Sequence, residues 1–484
     1  MKLKKITNYI KSLSFYDTIK HGSVYTLAFA FTQLISVITL PIFTKLLLPS
    51  DFGIYEVFNN TVRVLGIVIS LNLFNGFYRF YFEEHLNKQD LMQYLLRTSF
   101  IAFFICSIVL IVFRQPFMQL IQLPNHLFFW ILIAVFSNIV FNFFNTYNTA
   151  QQLSKQSGIW QFVTQLLRVI VAILFIVYWK KNYEGRIIGE YIILSVLALV
   201  ILFYYFRNYF GFKETIPATT KREIIHYSVS FIPIGLSGFV LGYLDTIMIN
   251  NFKGSNDAGL YSYAYKFAII YSGITTAFMT ANRPKLFELL NEKKEEEVIA
   301  QMRSMFKLVV ALSSLFIFFA ADGGRILALN DAFDAGLYLM PVLILSYIFN
   351  DINELYSFYF HYEKKVKYFY YSFAVSAVIN FVLNLIYIPK YGYAAAAYTT
   401  LVSYGFMLMC TYIICKKVVV ARVPAVIRFV DYLLIIAIVL TLNFLVTNYI
   451  DNLIFQIVTK GFLFIVVLVY LWRNIIRNLL FKQK

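Results

Sequence analysis

Long apolar runs separated by short polar segments recur from residue 22 to residue 472. The runs are continuous rather than alternating, and each has about 18 or more residues, enough to cross a hydrocarbon core of ~30 Å as a helix. The pattern predicts an all-α polytopic membrane protein with about 14 transmembrane helices. It excludes an outer-membrane barrel, whose strands alternate apolar and polar positions over about ten residues. The predicted helices, numbered 1 to 14, cover residues 21–44, 54–82, 92–113, 126–150, 158–180, 186–206, 224–250, 258–285, 301–320, 336–361, 366–389, 392–415, 425–448 and 453–474.

The same sequence pattern occurs twice, about two hundred residues apart. DFGIY at residues 51–55 matches DAGLY at residues 257–261 with an offset of 206, and Gly185 matches Gly392 with an offset of 207. The matches predict two six-helix lobes in tandem, with helices 13 and 14 outside the repeat. Because each lobe has an even number of helices, both copies have the same orientation, and a site between the lobes near the middle of the membrane is expected.

The repeat also predicts the domain boundaries. Residues 1–20 form a basic cytoplasmic segment that is expected to lie on the membrane surface. Residues 21–206 form the N-lobe, 207–223 a cytoplasmic linker, and 224–415 the C-lobe. Residues 416–484 contain helices 13 and 14 and a basic tail.

Composition and charge agree with a membrane protein. The chain is 60% hydrophobic and only 14% charged, against roughly 25% charged residues in soluble proteins. The net charge of +17 is unevenly distributed: 28 Lys and Arg residues lie in or next to the predicted cytoplasmic segments and 8 in or next to the external ones. This bias indicates cytoplasmic N- and C-termini. It explains the basicity without a nucleic-acid partner.

Two cations lie at similar depth in helices 2 and 8, which are repeat mates. Such side chains cost roughly 2.5–3.5 kcal/mol at the bilayer centre, so each needs a partner or a wet cavity. Helix 2 carries Glu56, Asn59 and Arg63 on one stripe, and helix 8 carries Lys266. Two interpretations stay open, a structural ion pair of Arg63 with Glu56 and a binding site for an anion.

Helices 4 and 10 are polar toward the cytoplasm. Asn142 and Asn145 in helix 4 and Glu354 in helix 10 suit a cavity that binds sugar hydroxyls, and they equally suit hydrogen bonds between helices of about 0.6 kcal/mol each. Arg168, midway along helix 5, is expected to pair with an acid.

Helix 7 contains Pro233, three glycines and Asp245. Proline and glycine break or bend helices, as gating helices require. Asp245 is therefore a candidate for ion coupling, although a structural acid near a helix end fits as well. No cysteine or histidine set matches a metal site, and no catalytic residues stand out, so neither a cofactor nor an enzymatic activity is expected.

The segment from Pro233 through Asp245-Thr246-Ile247-Met248-Ile249 to Gly259-Leu260-Tyr261 and Lys266 resembles the Wzx-type polysaccharide flippases of the multidrug/oligosaccharidyl-lipid/polysaccharide (MOP) exporter superfamily. The first-half segment 40–55 has the matching form. The resemblance implies two six-helix lobes that alternate access across the membrane. It also implies transport of undecaprenyl-diphosphate-linked oligosaccharide, a surface polysaccharide repeat unit, from the inner to the outer leaflet of the bacterial cytoplasmic membrane.

For the site, the resemblance implies cations on helices 2 and 8 that hold the diphosphate, and Arg63 and Lys266 are the positions that match. The relatives also carry an arginine on helix 1, whereas this helix has only His21 and Lys45 near its ends. The implied partners are the lipid-linked glycan, membrane lipids and polysaccharide polymerase machinery.

Three alternatives remain open. A drug or cation antiporter of the same superfamily would have acids in the first lobe. A major-facilitator carrier is disfavoured, because the helix 2–3 loop EEHLNKQD lacks that family's motif. A glycan polymerase or ligase, which would be an enzyme, is expected to have a large external loop, and the longest here covers residues 321–335.

Overall fold

The structure is a computed structural model that describes residues 35–209, 216–420 and 430–481. These residues are almost entirely α-helical, and no β-strand occurs among them. The predictions for the interfacial segment at 1–20 and for the start of predicted helix 1 lie outside the described residues.

The helices form two compact units, the first ending at Ala258 and the second beginning at Gly259. Within the described residues, the first unit contains α1 (Ile35–Leu46), α2 (Pro49–Ile69), α3 (Leu73–Phe80), α4 (Lys88–Val112), α5 (Arg114–Ile121), α6 (Phe128–Ala150), α7 (Ser154–Tyr178), α8 (Tyr183–Tyr209), α9 (Ala218–Val229) and α10 (Ile232–Lys253). The second contains most of α11 (Ser255–Asn291), then α12 (Glu295–Leu327), α13 (Met340–Tyr362), α14 (Val366–Tyr391), α15 (Tyr393–Val418), α16 (Val430–Tyr449) and α17 (Leu453–Phe481). Short 3₁₀ helices at Asn125–Leu127 and Asp331–Leu339 precede α6 and α13.

Twelve of the described helical segments are long and apolar enough to cross a membrane, with α9 and α10 counted as one segment. The described part of α1 is shorter, and the more polar α11 is not among the twelve. The sequence predicted spans at both of these places. The all-α polytopic fold with about fourteen transmembrane helices is confirmed.

Matching helix pairs pack together in both units. In the first unit α8 packs along α6 and α7, and in the second unit α15 packs along α13 and α14. These are predicted helices 4, 5 and 6 and their repeat mates 10, 11 and 12. The packing agrees with the tandem repeat.

Predicted helices 2 and 7 are each broken in the first unit. The first break separates α2 from α3. There Leu71 and Asn72 have φ of 50° and 51°, a left-handed backbone conformation that residues other than glycine rarely adopt. The second separates α9 from α10, and α10 starts with Pro233 in its first turn, a favoured position because proline lacks an N–H. The predicted break near Pro233 is confirmed, whereas the break at residues 70–72 was not predicted.

The two broken helices run antiparallel to each other. On one side of the breaks, a Cβ added to Gly235 would lie 3.1 Å from the Ile67 Cγ2 atom, and on the other side a Cβ added to Gly76 would meet the Ser228 Oγ. Predicted helix 7 therefore packs within the first compact unit, although the repeat assigns it to the C-lobe. The domain boundaries given by the repeat stay a prediction.

The last helix, α17, is attached to the second unit by a buried ion pair. The Lys460 Nζ donates to an Asp322 carboxylate oxygen at 2.7 Å, and the two side chains are 1% and 7% exposed. The sequence placed Asp322 in an external loop after a helix ending at 320, but α12 continues to Leu327. The acid is therefore on a helix, inside the packed unit.

Candidate functional site

Arg63 lies on α2 and is exposed, whereas the three residues before it, at 60–62, are buried. Its guanidinium carbon is 4.3 Å from the centre of the Tyr243 ring on α10. One turn earlier, the Asn60 side-chain amide donates to the Tyr243 carbonyl oxygen at 3.2 Å. Glu56 lies two turns earlier on α2, on the same stripe of the helix. The guanidinium carbon therefore lies over an aromatic ring.

Asn59 is one turn before Arg63 on α2 and is held by α8. The Tyr191 hydroxyl donates to its Oδ1 at 2.7 Å. This contact fixes the amide orientation, because the oxygen is the acceptor and the nitrogen then carries the donors. Within the described residues the Asn59 side-chain nitrogen makes no hydrogen bond. The structure thus places a cation and an amide donor one turn apart.

Glu190 on α8 is the centre of a buried polar cluster in the first unit. Its carboxylate accepts from the Tyr55 hydroxyl at 2.8 and 2.9 Å and from Arg168 at 3.0 Å, and it pairs with Arg186 at 3.4 Å. The predicted pairing of Arg168 with an acid is confirmed. Two arginines and one hydroxyl hold this carboxylate in a fixed position.

The Arg186 guanidinium is enclosed by aromatic rings. Its central carbon is 3.5 Å from the Tyr55 ring centre, 3.9 Å from that of Phe43 and 5.1 Å from that of Phe52. Cation–π contacts of this kind compensate in part for the loss of water around a buried guanidinium. The sequence argument overlooked this cluster, although Arg186 and Glu190 are four residues apart on one helix, which is the spacing of an intrahelical ion pair.

The predicted asparagines of α6 differ in exposure. Asn142 is exposed and Asn145 is half-buried. The Asn145 Oδ1 is buried and makes no hydrogen bond within the described residues, and the same holds for the Asn148 Nδ2. Buried amide atoms of this kind are uncommon in proteins and are places where a ligand or water can bind.

The predicted gating residues lie twelve residues apart on α10. Pro233 is exposed in the first turn, and its carbonyl oxygen accepts from the Ser237 hydroxyl at 2.8 Å. Asp245 is 2% exposed and lies two residues after Tyr243. Asp245 is therefore near Tyr243, the residue that contacts Arg63, in the sequence. Pro233 lies at the break between α9 and α10.

The predicted residues of the second unit lie on two helices. Lys266 is half-buried on α11, in a segment that also buries Tyr263 and Tyr265. Glu354 is half-buried on α13, and one of its carboxylate oxygens accepts from the Ser357 hydroxyl at 3.1 Å.

Asp351 is a further buried acid of α13. Its two oxygens accept from the Tyr271 hydroxyl at 2.8 Å and the Thr275 hydroxyl at 3.0 Å, both on α11. The sequence placed it in the polar part of helix 10 but could not identify its partners. Among the described residues, no group of three or more His, Cys, Asp or Glu side chains is arranged to hold a metal ion.

The sequence of the chain matches one family model. The model, described as "Polysaccharide biosynthesis protein", matches residues 19–290, more than half of the chain. A search of curated protein sequences found no match.

Several solved structures share the fold. The chain is similar to a structure of the lipid II flippase MurJ in the inward closed conformation, with a TM-score of 0.69 and 14% identity over 94% of this chain and 99% of that one. It is also similar to an inward-facing multidrug resistance MATE family transporter of the MOP superfamily, with a TM-score of 0.62 and 11% identity over 82% and 94% of the two chains. A point mutant of the Vibrio cholerae MATE transporter VcmN gives a TM-score of 0.53 and 15% identity over 82% and 96%. At these identities the likeness shows the fold.

Proposed function

Since the chain belongs to the polysaccharide biosynthesis protein family and has the fold of MOP transporters, we propose that it is a flippase for a lipid-linked oligosaccharide. The substrate is an undecaprenyl-diphosphate-linked repeat unit of a surface polysaccharide. The protein moves it from the inner to the outer leaflet of the bacterial cytoplasmic membrane by alternating access, and it performs no covalent chemistry on it.

The exposed Arg63 is the observation that carries this proposal. A diphosphate brings about two negative charges into the membrane, and it needs cationic and hydrogen-bonding partners there. The Arg63 guanidinium can grip two phosphate oxygens at once, and the Asn59 amide one turn away supplies a further donor. Arg63 and Asn59 therefore both offer N–H donors to an anion from the same helix of the first unit.

Lys266 is proposed as the corresponding cation of the second half. It is the repeat mate of the helix-2 cation and carries the positive charge that the second half offers to an anionic substrate. Asn142, Asn145 and Glu354 are proposed to bind sugar hydroxyls, and the unpaired Asn145 Oδ1 supports that role. Pro233 and Asp245 are proposed to act in gating or ion coupling.

The antiporter alternative requires an acid in the first half that can accept a cationic drug or a coupling ion. Glu190 does not suit that role, because its carboxylate is already paired with Arg168 and Arg186. The arrangement favours an anionic substrate over a cationic one. The glycan polymerase or ligase alternative lacks support, since the fold is shared with a flippase and with transporters.

The test measures surface glycan in cells in which the chromosomal gene is replaced by variants expressed at wild-type membrane levels. Arg63→Ala and Lys266→Ala are each expected to reduce the glycan roughly 10- to 150-fold, the effect of losing about 1.5–3 kcal/mol of charged hydrogen bonding. Arg63→Lys should be milder, because an ammonium keeps the charge but cannot bind two oxygens in one plane.

Arg79→Ala is the matched control. Arg79 is an exposed arginine of α3 paired with Glu83 at 2.6 Å, and surface pairs of this kind contribute little, so glycan production should be unchanged. Full activity of both Arg63→Ala and Lys266→Ala would refute the proposed site.

A further inference from the structure

Tyr243 is the residue whose ring contacts the Arg63 guanidinium. The ring is half-buried on α10, and the Phe239 ring, one turn earlier, lies 6.3 Å from it. Arg63 reaches across from α2 and covers this ring at 4.3 Å. The guanidinium of the proposed diphosphate site therefore rests on a residue of a different helix.

The backbone around Tyr243 is tied down on two sides. The Asn60 side chain of α2 donates to its carbonyl oxygen. Further along α10, the Asn250 side chain donates to the Ile121 carbonyl oxygen at the end of α5, at 3.2 Å. Because α10 is anchored at both places, the ring keeps a defined position relative to Arg63.

The Arg63 guanidinium carbon lies over the Tyr243 ring, and a guanidinium stacked on a ring keeps its phosphate-binding groups available. A guanidinium contacts an aromatic ring through its flat face, whereas its five N–H donors point outward in its plane. A phosphate group approaches in that plane, so the ring and the phosphate do not compete. An exposed arginine on a flexible stem loses considerable side-chain entropy when it binds a ligand, and a ring that already restricts the stem reduces that loss.

We infer that Tyr243 is a positioning residue, which holds the Arg63 guanidinium so that its donor edge is presented to the diphosphate of the lipid carrier. This inference rests on the proposed function, since it assigns to Tyr243 a role at the same site. Tyr243 acts through its aromatic face and has no direct contact with the substrate. The amide donor of Asn59, one turn from Arg63, completes the set of donors on α2.

The experiment measures the binding of farnesyl diphosphate, a short prenyl diphosphate, to the detergent-purified full chain by titration calorimetry. Tyr243→Leu should weaken binding roughly 3- to 30-fold, the range expected for the loss of a cation–π contact that is partly shielded from water. Tyr243→Phe keeps the aromatic face and should bind within about twofold of the wild type. Tyr243→Met, which adapts to irregular packing, replaces the leucine variant if that variant does not fold.

A second arm separates positioning from general packing. In an Arg63→Gln background no cation lies over the ring, so Tyr243→Leu should then change the residual affinity less than twofold. A purely structural role would weaken binding equally in both backgrounds and would lower the melting temperature. Either of those results, or a phenylalanine variant as weak as the leucine variant, overturns the inference.

The outcomes also distinguish this inference from the function on which it rests. If Arg63→Ala abolishes binding while Tyr243→Leu binds like the wild type, the positioning role is wrong and the diphosphate site stands. If the wild type binds no farnesyl diphosphate, or Arg63→Ala binds it equally well, both the site and the role of Tyr243 are refuted.

Discussion

The buried ion pair between Lys460 and Asp322 predicts a large and specific loss of stability when one partner is removed. The two side chains are 1% and 7% exposed, with a 2.7 Å contact between α17 and α12. Lys460→Met removes the ammonium and keeps much of the volume, but it leaves the Asp322 carboxylate buried without its cation. Asp322→Leu creates the reverse defect, a buried ammonium without its anion.

The size of the effect follows from that burial. Removing one partner of a buried pair costs about 3–5 kcal/mol, because an uncompensated charge stays in the interior. At roughly 2–4 °C per kcal/mol for a unit of this size, each single variant should melt about 6–20 °C below the wild type. The double variant carries no buried charge, and such replacements range from neutral to about 1–4 kcal/mol stabilising. Its melting temperature should therefore equal or exceed that of the wild type.

The assay is thermal unfolding of the detergent-purified chain, followed by the loss of the monodisperse peak in size-exclusion chromatography. Arg325→Met is the matched control, since Arg325 lies on the same helix and pairs with Asp334 at 3.2 Å, but both side chains are more exposed, at 54% and 33%. An exposed pair contributes about 0–1 kcal/mol. The control variant should melt close to the wild type.

Two results would contradict this reasoning. Single variants that melt within about 3 °C of the wild type would mean that the pair is open to water. A double variant that loses the sum of the two single losses would mean that the two side chains do not interact, because additive effects indicate independent sites.

Two further predictions concern helix packing and topology. Gly189→Ala should destabilise the chain by about 1–3 kcal/mol, as overpacking does, because the added Cβ would lie 2.7 Å from the Ala172 Cα on α7. Gly66→Ala is the control, because no atom lies within 4 Å of the Cβ that it adds. Equal melting temperatures of the two variants would contradict the close approach of α7 and α8. The charge distribution predicts that both termini are cytoplasmic. A cysteine at Asn330 should then react with a membrane-impermeant label from outside, and a cysteine at Lys364 only from inside. Reversed labelling would refute the topology.

The sequence was sufficient to predict the helices, the approximate number of transmembrane spans and the family. A transmembrane helix satisfies all of its backbone hydrogen bonds within one segment, so a local apolar run determines it without reference to the rest of the chain. The break before Pro233 was predictable for the same reason, because proline acts on its own helix. The break at Leu71 and Asn72 was not, since neither residue is a glycine or a proline.

The tertiary structure decided which polar side chains meet. Asp322 and Lys460 are 138 residues apart, and Tyr55 and Glu190 are 135 residues apart, so no local pattern connects them. Tyr243 is one of 37 tyrosines, and only the antiparallel packing of α10 on α2 places it under Arg63. Buried polar groups in a membrane protein need partners, which makes it predictable that an intramembrane charge will be paired or bound, but the identity of its partner depends on the helix packing.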